Sequence, residues 1–232
     1  ERFMSIPGAA SPLFLATTAG GAAGDFEIAR ALRFNSADSA YLNRTPSSAG
    51  NRKTYTLAFW VKKCDISDEG FVFSASSSVG ANGRDGVRFE NGDNFRVFFN
   101  GASSGDLITT ALFKDPAAWY HFVVTVDTTQ STASDRVKIY QNGSQITAFN
   151  TATYPSQNYQ SDICSNVVHR IGSDTRNTSN NLDAYLAEVN FIDGQALAPT
   201  DFGETDDNGV WQAIDTAGLT FGTNGFRLKF DD

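Results

Sequence analysis

Basic runs, long apolar runs, histidine, methionine and cysteine are all scarce in this chain, and each scarcity excludes something. No more than two Lys or Arg stand together, and the formal net charge is −8 over 232 residues. A phosphate backbone therefore meets no basic patch, and nucleic acid is not an expected partner. The same negative balance disfavours non-specific adhesion to an anionic envelope, so any cell binding has to be specific. No stretch approaches the ~20 apolar residues that a spanning helix needs. Ser11 to Ala23 is small and mildly apolar, without the basic start and sustained apolar centre of a secretory signal. The expectation is a protein made in a cytoplasm, with no membrane insertion. The chain stops at Asp231-Asp232 in mid-texture, which reads as a piece of something longer.

Two cysteines, Cys64 and Cys164, cannot make a disulfide-dense scaffold, and we read them as two partly buried free thiols. Two histidines, His121 and His169, leave little material for a triad or a zinc site. The four Cys and His have no paired short spacing, and no G-x-S-x-G elbow occurs. Both histidines are expected to be structural. One Met and few stretches of helical period argue against a helical core.

What the chain does have is aromatic and turn-forming: 19 Phe, 7 Tyr, 3 Trp and 20 Gly. The clearest stretch is Trp119 to Ile146. Phe122, Val124 and Val126 alternate with His121, Val123, Thr125 and Asp127, a period of two. After a polar run, Val137, Ile139 and Gln141 point one way while Lys138 and Tyr140 point the other. Asn142-Gly143 then suits the positive φ of a type I′ hairpin turn, with Ser144–Phe149 returning as the partner strand. Asn91-Gly92-Asp93 is a second hairpin signal. From Ala31 onward strand-like segments recur between turn residues, the rhythm of an antiparallel β-sandwich. Leu219–Phe221 and Phe226–Phe230 are expected to return as final strands near the first, and Ala198–Phe202 to form one turn of helix or a tight loop. Phe59, Trp60 and Trp119 read as core or strand-end packing.

Residues 1–28 have a different texture. Ser5-Ile6-Pro7-Gly8, Ser11-Pro12 and Gly20–Gly24 cannot sustain a regular element. We divide the chain into an arm, 1–28, and a sandwich, 29–232. In the arm Ile6, Pro7, Pro12, Leu13, Phe14 and Leu15 are apolar enough to dock against a neighbouring subunit or a larger assembly.

Trp119-Tyr120-His121, the strand ending at Asp127, and Ile139-Tyr140-Gln141-Asn142-Gly143 resemble the signature of laminin-G-like modules. These belong to the concanavalin A-like lectin superfamily of jelly-roll sandwiches. Ala31–Asn35 with Tyr41-Leu42 resembles that family's opening strand pair, Tyr55–Lys62 an inner strand, and Ile171-Gly172 with Tyr185–Val189 its closing pair. More narrowly, SIPGAASPLFLATT, RFNSADSAYLNRTPSSAGNRKT and AEVNFIDGQALAPTDFGETD resemble bacteriophage structural proteins, many of them from aquatic phages. The resemblance implies an all-β jelly-roll virion protein, assembled in the host cytoplasm. Its implied partners are other virion proteins, itself as a symmetric homo-oligomer such as a trimer, and a host-surface glycan. A tail-fibre or tail-associated adhesin is the first placement; a capsid decoration or head-fibre protein is the alternative, and a carbohydrate-active enzyme an outside one.

The sequence argues against an enzyme. Retaining glycoside hydrolysis needs two carboxylates ~5–5.5 Å apart. Glu188 is the nearest candidate, but its same-face positions on a regular strand are Leu186, Asn190 and Ile192, with Asp193 on the other face. For glycan binding the best candidates are aromatics in polar surroundings, Tyr154, Tyr159 and Trp211, with the amides Gln157 and Asn158. The family's relatives often hold calcium on rim loops, and here Asp93 and Asp174 are the candidate ligands.

Overall fold

The computed structural model describes residues 26–77, 83–176 and 180–231. Its described part is two seven-stranded antiparallel sheets, with a two-stranded ribbon besides. The first sheet runs in the order β1 (Leu32–Phe34), β13 (Ala184–Asp193), β3 (Thr54–Lys63), β8 (Tyr120–Asp127), β9 (Val137–Gln141), β10 (Ser144–Ile146). The last strand, β16 (Phe226–Leu228), also pairs with β13, beyond β1 along the same edge, as the sequence led us to expect, whereas Leu219–Phe221 forms no strand and instead packs its apolar side chains on the outward face of this sheet. The second sheet runs β11 (Phe149–Thr153), β7 (Gly105–Leu112), β6 (Asn94–Phe99), β5 (Arg84–Phe89), β4 (Gly70–Ser76), β12 (Val168–Ile171), β2 (Leu42–Arg44).

The period-two pattern puts one face of each strand between the sheets. Phe59, Val61, Phe122, Val124, Val126, Val137 and Ile139 meet Val87, Phe89, Phe95, Val97 and Phe99 of the second sheet in one core. Its centre is aromatic: Phe95 and Phe122 stack at 4.2 Å, and Phe113 stands edge-on to Phe122 at 4.9 Å. Asn142 and Gly143 take φ of 46° and 78°, the values that a type I′ turn requires.

Three expectations about strands are corrected. Ser144–Phe149 is not one strand. The chain leaves β9 after Ile146, and Ala148 O accepts from Thr110 N, so Phe149 already belongs to the opposite sheet. The opening and closing pairs are likewise split between sheets: β1 pairs with β13, while β2 pairs with β12. A 3-10 turn at Ser36–Asp38, ending on Ser39 at φ 51°, carries the chain across. Third, β13 is not regular. Its register with β3 shifts between Ala187 and Asn190, and Glu188 sits at φ 44°. The bulge inserts one residue, so Leu186, Val189 and Phe191 face the core while Ile192 faces outward.

That outward face of the first sheet is not bare. Ala58, Val123 and Ile192 form a second, smaller core with Phe202, against which Tyr140, Leu197, Leu219 and Phe221 pack. The covering segment includes the expected helical turn, Pro199–Asp201, and a ribbon of β14 (Gly203–Thr205) and β15 (Trp211–Ala213). Cys64 is exposed and Cys164 buried, both as free thiols, so the two share a redox state but not an environment.

Candidate functional site

All three tryptophans come to the outward face of the first sheet. Trp60 is there by alternation: Phe59 and Val61 face the core, so the residue between them cannot. It lies opposite Ala187 on one side and His121 on the other. Trp119 stands just before β8, and Trp211 opens β15 of the covering ribbon.

His121 lies between two of the indoles. Its ring stacks on Trp60 at 4.8 Å and 27°, and on Trp211 at 5.9 Å and 22°. Trp211 Nε1–H donates to His121 Nδ1 at 2.9 Å. Asn142 Oδ1 accepts from the His121 amide, and the Asn142 amide donates back to His121 O. The hairpin turn thereby fixes the histidine. Two glycines make room for the Trp211 ring. A Cβ on Gly143 would lie 2.6 Å from its Cε3, and one on Gly203 would lie 2.6 Å from its Cζ2. Burial lowers the His121 pKa to about 3, so the imidazole is neutral at any ordinary pH.

Beside this stack lies an open cavity of about 360 Å³, lined by Ile28, Ala29, Arg30, Ala31, Trp60, Trp119 and Ala187. Trp119 is 38 % exposed. The buried Nε1–H of Trp60 meets no acceptor among the described residues. Apolar aromatic walls suit a ligand that has an apolar face.

A second, polar cleft of about 420 Å³ lies toward the other end of β8, lined by Thr125, Asp127, Gln130, Asp135, Lys138, Tyr140 and Ala196–Ala198. Its carboxylates are engaged: Asp127 accepts from Thr129 and Gln130, and Asp135 pairs with Lys138.

The glycan candidates read from the sequence are not brought together. Trp211 lies against the Asn142-Gly143 turn, its N–H committed to His121. Tyr154, Gln157, Asn158 and Tyr159 lie near the opposite end of β8, where the Asn158 amide donates to Thr128 O and Gln157 Nε2 to Thr129 O. Tyr154 packs on the main core. Tyr159 turns inward, edge-on to Phe99 at 5.6 Å, and its hydroxyl donates to the buried Asp85. Only Gln157 and Asn158 of this group are exposed.

The calcium candidates face cations of the protein itself. Asp93 is wholly buried, paired with Lys63 and bonded by the Ser67 amide. Asp174 is wholly buried between Arg84 and Arg176. A calcium ion at either would have to displace an ammonium or a guanidinium. Among the described residues no group of three or more His, Cys, Asp or Glu is placed to hold a metal ion. Glu188 is held by Arg227, which also binds Asp215. His169 is buried, with Nδ1 on Val167 O and Nε2 accepting from the Cys164 amide, a structural arrangement. The arm residues Ile6, Pro7, Pro12, Leu13, Phe14 and Leu15 lie outside the described residues. Among those described, no helix is long and apolar enough to cross a membrane.

The outward placement of Trp60 and the exposure of Trp119 beside one cavity were missed in the sequence, where both read as packing. The parity of Trp60 was available, since its flanking residues are the apolar inward pair. What was not available was a covering segment that stops short of it.

Comparison with known proteins agrees with this architecture. Residues 35–201 match the Laminin_G_3 family, described as the concanavalin A-like lectin/glucanases superfamily. No curated protein matches the sequence. Among solved structures, a heptameric SAP-like pentraxin from Limulus polyphemus superimposes with a TM-score of 0.51 at 16% identity, over 68% of this chain and 71% of its own. A protein of Bacteroides ovatus proposed to bind carbohydrate gives a TM-score of 0.51 at 13% identity, over 87% of this chain. The match spans 52% of that protein's length. At these identities the likeness is one of fold.

Proposed function

The chain belongs to the concanavalin A-like lectin/glucanases superfamily, and from that premise we propose that it is a non-enzymatic glycan-binding protein. The ligand lies in the cavity between Trp60 and Trp119. One observation carries this reading: the half-exposed indole of Trp119 borders an open cavity that has Trp60 on its wall. The fold's hydrolytic chemistry finds no support in the side chains. Glu188 is held by a guanidinium rather than set beside a second acid, and His121 is locked as a neutral acceptor.

The setting we propose is a bacteriophage virion, on the resemblance of residues 5–18, 33–54 and 187–206 to phage structural proteins. A rigid sandwich that offers one aromatic cavity outward suits a tail-associated adhesin that contacts a host glycan, repeated in a symmetric homo-oligomer. The alternative, a capsid decoration protein, uses the arm for attachment and leaves the cavity without a task.

Titration with host-surface polysaccharide, followed by tryptophan fluorescence, tests the site. Binding should saturate in the wild type and fall at least tenfold in Trp119→Ala, with the fold retained and the melting temperature only modestly lowered because Trp119 is half-exposed. Undiminished binding by Trp119→Ala would move the site elsewhere. Immunogold labelling of purified particles tests the setting: tail label supports the adhesin, and head label the decoration role.

A further inference from the structure

The two sheets part along one edge of the sandwich, and an apolar groove of about 380 Å³, separate from both cavities described above, opens there. One lip is β2, the last strand of its sheet, and the other is β16, which pairs with β13 alone. Phe73, Ile171 and Phe191 close the floor and belong to the main core. Above them Leu42 is exposed, and Phe226 and Leu228 are only partly covered. Three polar side chains of the lining are turned to the protein itself. Arg44 donates to Asn224 O at 2.9 Å, Arg170 donates to Asp174 O at 2.6 Å, and both ring nitrogens of His169 are bonded. The groove therefore suits an apolar filling. Its two end strands suit an extended segment, which gains main-chain hydrogen bonds at an unpaired edge.

The chain itself supplies such a segment. Phe26, the first residue described, lies against β16, with its ring centre 5.5 Å from the Arg227 guanidinium. Arg227 stands between Phe226 and Leu228, and alternation turns it to the opposite face of β16 from that pair. The chain thus enters the sandwich one strand away from the groove. Leu15 precedes Phe26 by eleven residues, which span up to ~36 Å when extended. Packed sheets lie only ~10 Å apart, so the reach is ample. Composition agrees. Phe3 to Gly24 holds no charged residue, and Leu13-Phe14-Leu15 is its longest run of large apolar side chains. Segments that remain in water are typically rich in charge and poor in such residues.

We infer that Leu13-Phe14-Leu15 of the same chain lies in this groove and closes the open edge of the sandwich. The site is distinct from the tryptophan cavity and does not depend on its reading as a glycan site. Covering the edge also removes the template for pairing with another chain that β2 and β16 would otherwise present.

Disulfide trapping in the full chain tests the placement, in a Cys64→Ser background that removes the exposed thiol. Leu13→Cys, Phe14→Cys and Leu15→Cys are each combined with Leu42→Cys, and in a parallel set with Val210→Cys, an exposed position in the turn of the covering ribbon. A disulfide forms only where the two Cα atoms come within about 7 Å. The expected result is an intramolecular cross-link with Leu42→Cys from at least one arm position, at least tenfold faster than with Val210→Cys. Equal rates in the two sets, or no cross-link with Leu42→Cys, would overturn the inference. A dimer linked arm to groove would overturn it too, by giving the groove to the arm of a second copy. Independently, Leu13→Ser, Phe14→Ser and Leu15→Ser together should lower the melting temperature by about 5 °C or more, because three buried apolar side chains are lost. An unchanged melting temperature would count against the placement.

Discussion

Trp211 and His121 lie ninety positions apart in sequence, and the indole N–H of one donates to Nδ1 of the other at 2.9 Å. Since Nδ1 accepts, the ring proton is on Nε2 and the imidazole is neutral. A protonated ring would set one N–H against another. This bond, with the stacking of both rings, fastens the covering ribbon to the face of the first sheet, next to the proposed sugar cavity.

Acid should therefore loosen the ribbon. Burial holds the His121 pKa at about 3, below its value of about 6.5 in an unfolded chain. Between those limits the unfolded state binds a proton that the folded state does not. The stabilisation is then complete above pH 6.5 and falls, toward pH 3, by about 1.4 kcal/mol per unit. His169, also lowered by burial, has the same sign and is present in both proteins to be compared. In urea unfolding from pH 7 to 4, His121→Gln should be less stable at pH 7 but should lose stability less steeply. Equal slopes would mean that His121 titrates normally.

Gly143 and Gly209 separate conformational strain from packing. Both have positive φ, 78° and 80°. A Cβ on Gly209 would meet nothing within 4 Å, whereas one on Gly143 would enter the Trp211 ring. Gly209→Ala should cost about 1 kcal/mol, the penalty for alanine in a left-handed conformation. Gly143→Ala should cost at least 2 kcal/mol more, by analogy with overpacked cores. It should also shift tryptophan emission to the red as Trp211 is pushed out. Equal costs for the two substitutions would show that the ring yields freely.

The strands were legible because their information is local. Alternation named the inward faces of β8 and β9, and Asn142-Gly143 named their turn. What alternation could not show was where it breaks. The bulge at Glu188 depends on pairing with β3 and β16, more than a hundred and about forty residues away, and no glycine marks it. The site was hidden for a related reason. A tryptophan beside core residues looks like core, and only the reach of the covering segment decides that Trp211 is clamped while Trp119 is exposed. Asp93 and Asp174 resembled metal ligands because sequence shows oxygen donors in turns but not the distant Lys63, or Arg84, that neutralises them.

The pair Lys63–Asp93 yields the last prediction. Burial alone would raise the Asp93 carboxyl, but the Lys63 hydrogen bond and the Ser67 amide together hold it below the usual range. The Lys63 ammonium also lies 5.0 Å from the centre of the Phe89 ring, and the whole side chain, stem included, is buried. Lys63→Met keeps that stem and removes the charge, leaving a buried carboxylate with the more distant Lys114 at 3.9 Å as its cation. The expected loss is about 3–5 kcal/mol. Adding Asp93→Asn should recover a large part of it, because asparagine tolerates the φ of 64° and still accepts from the Ser67 amide. The folded pKa of Asp93 is depressed, so the stability that it contributes is present at neutral pH and is lost as pH falls through the folded value. The double variant should therefore also be less sensitive to acid than the wild type. Millimolar calcium should leave the wild-type melting temperature unchanged, since the site already holds its cation. A rise of several degrees would place calcium where Lys63 now lies.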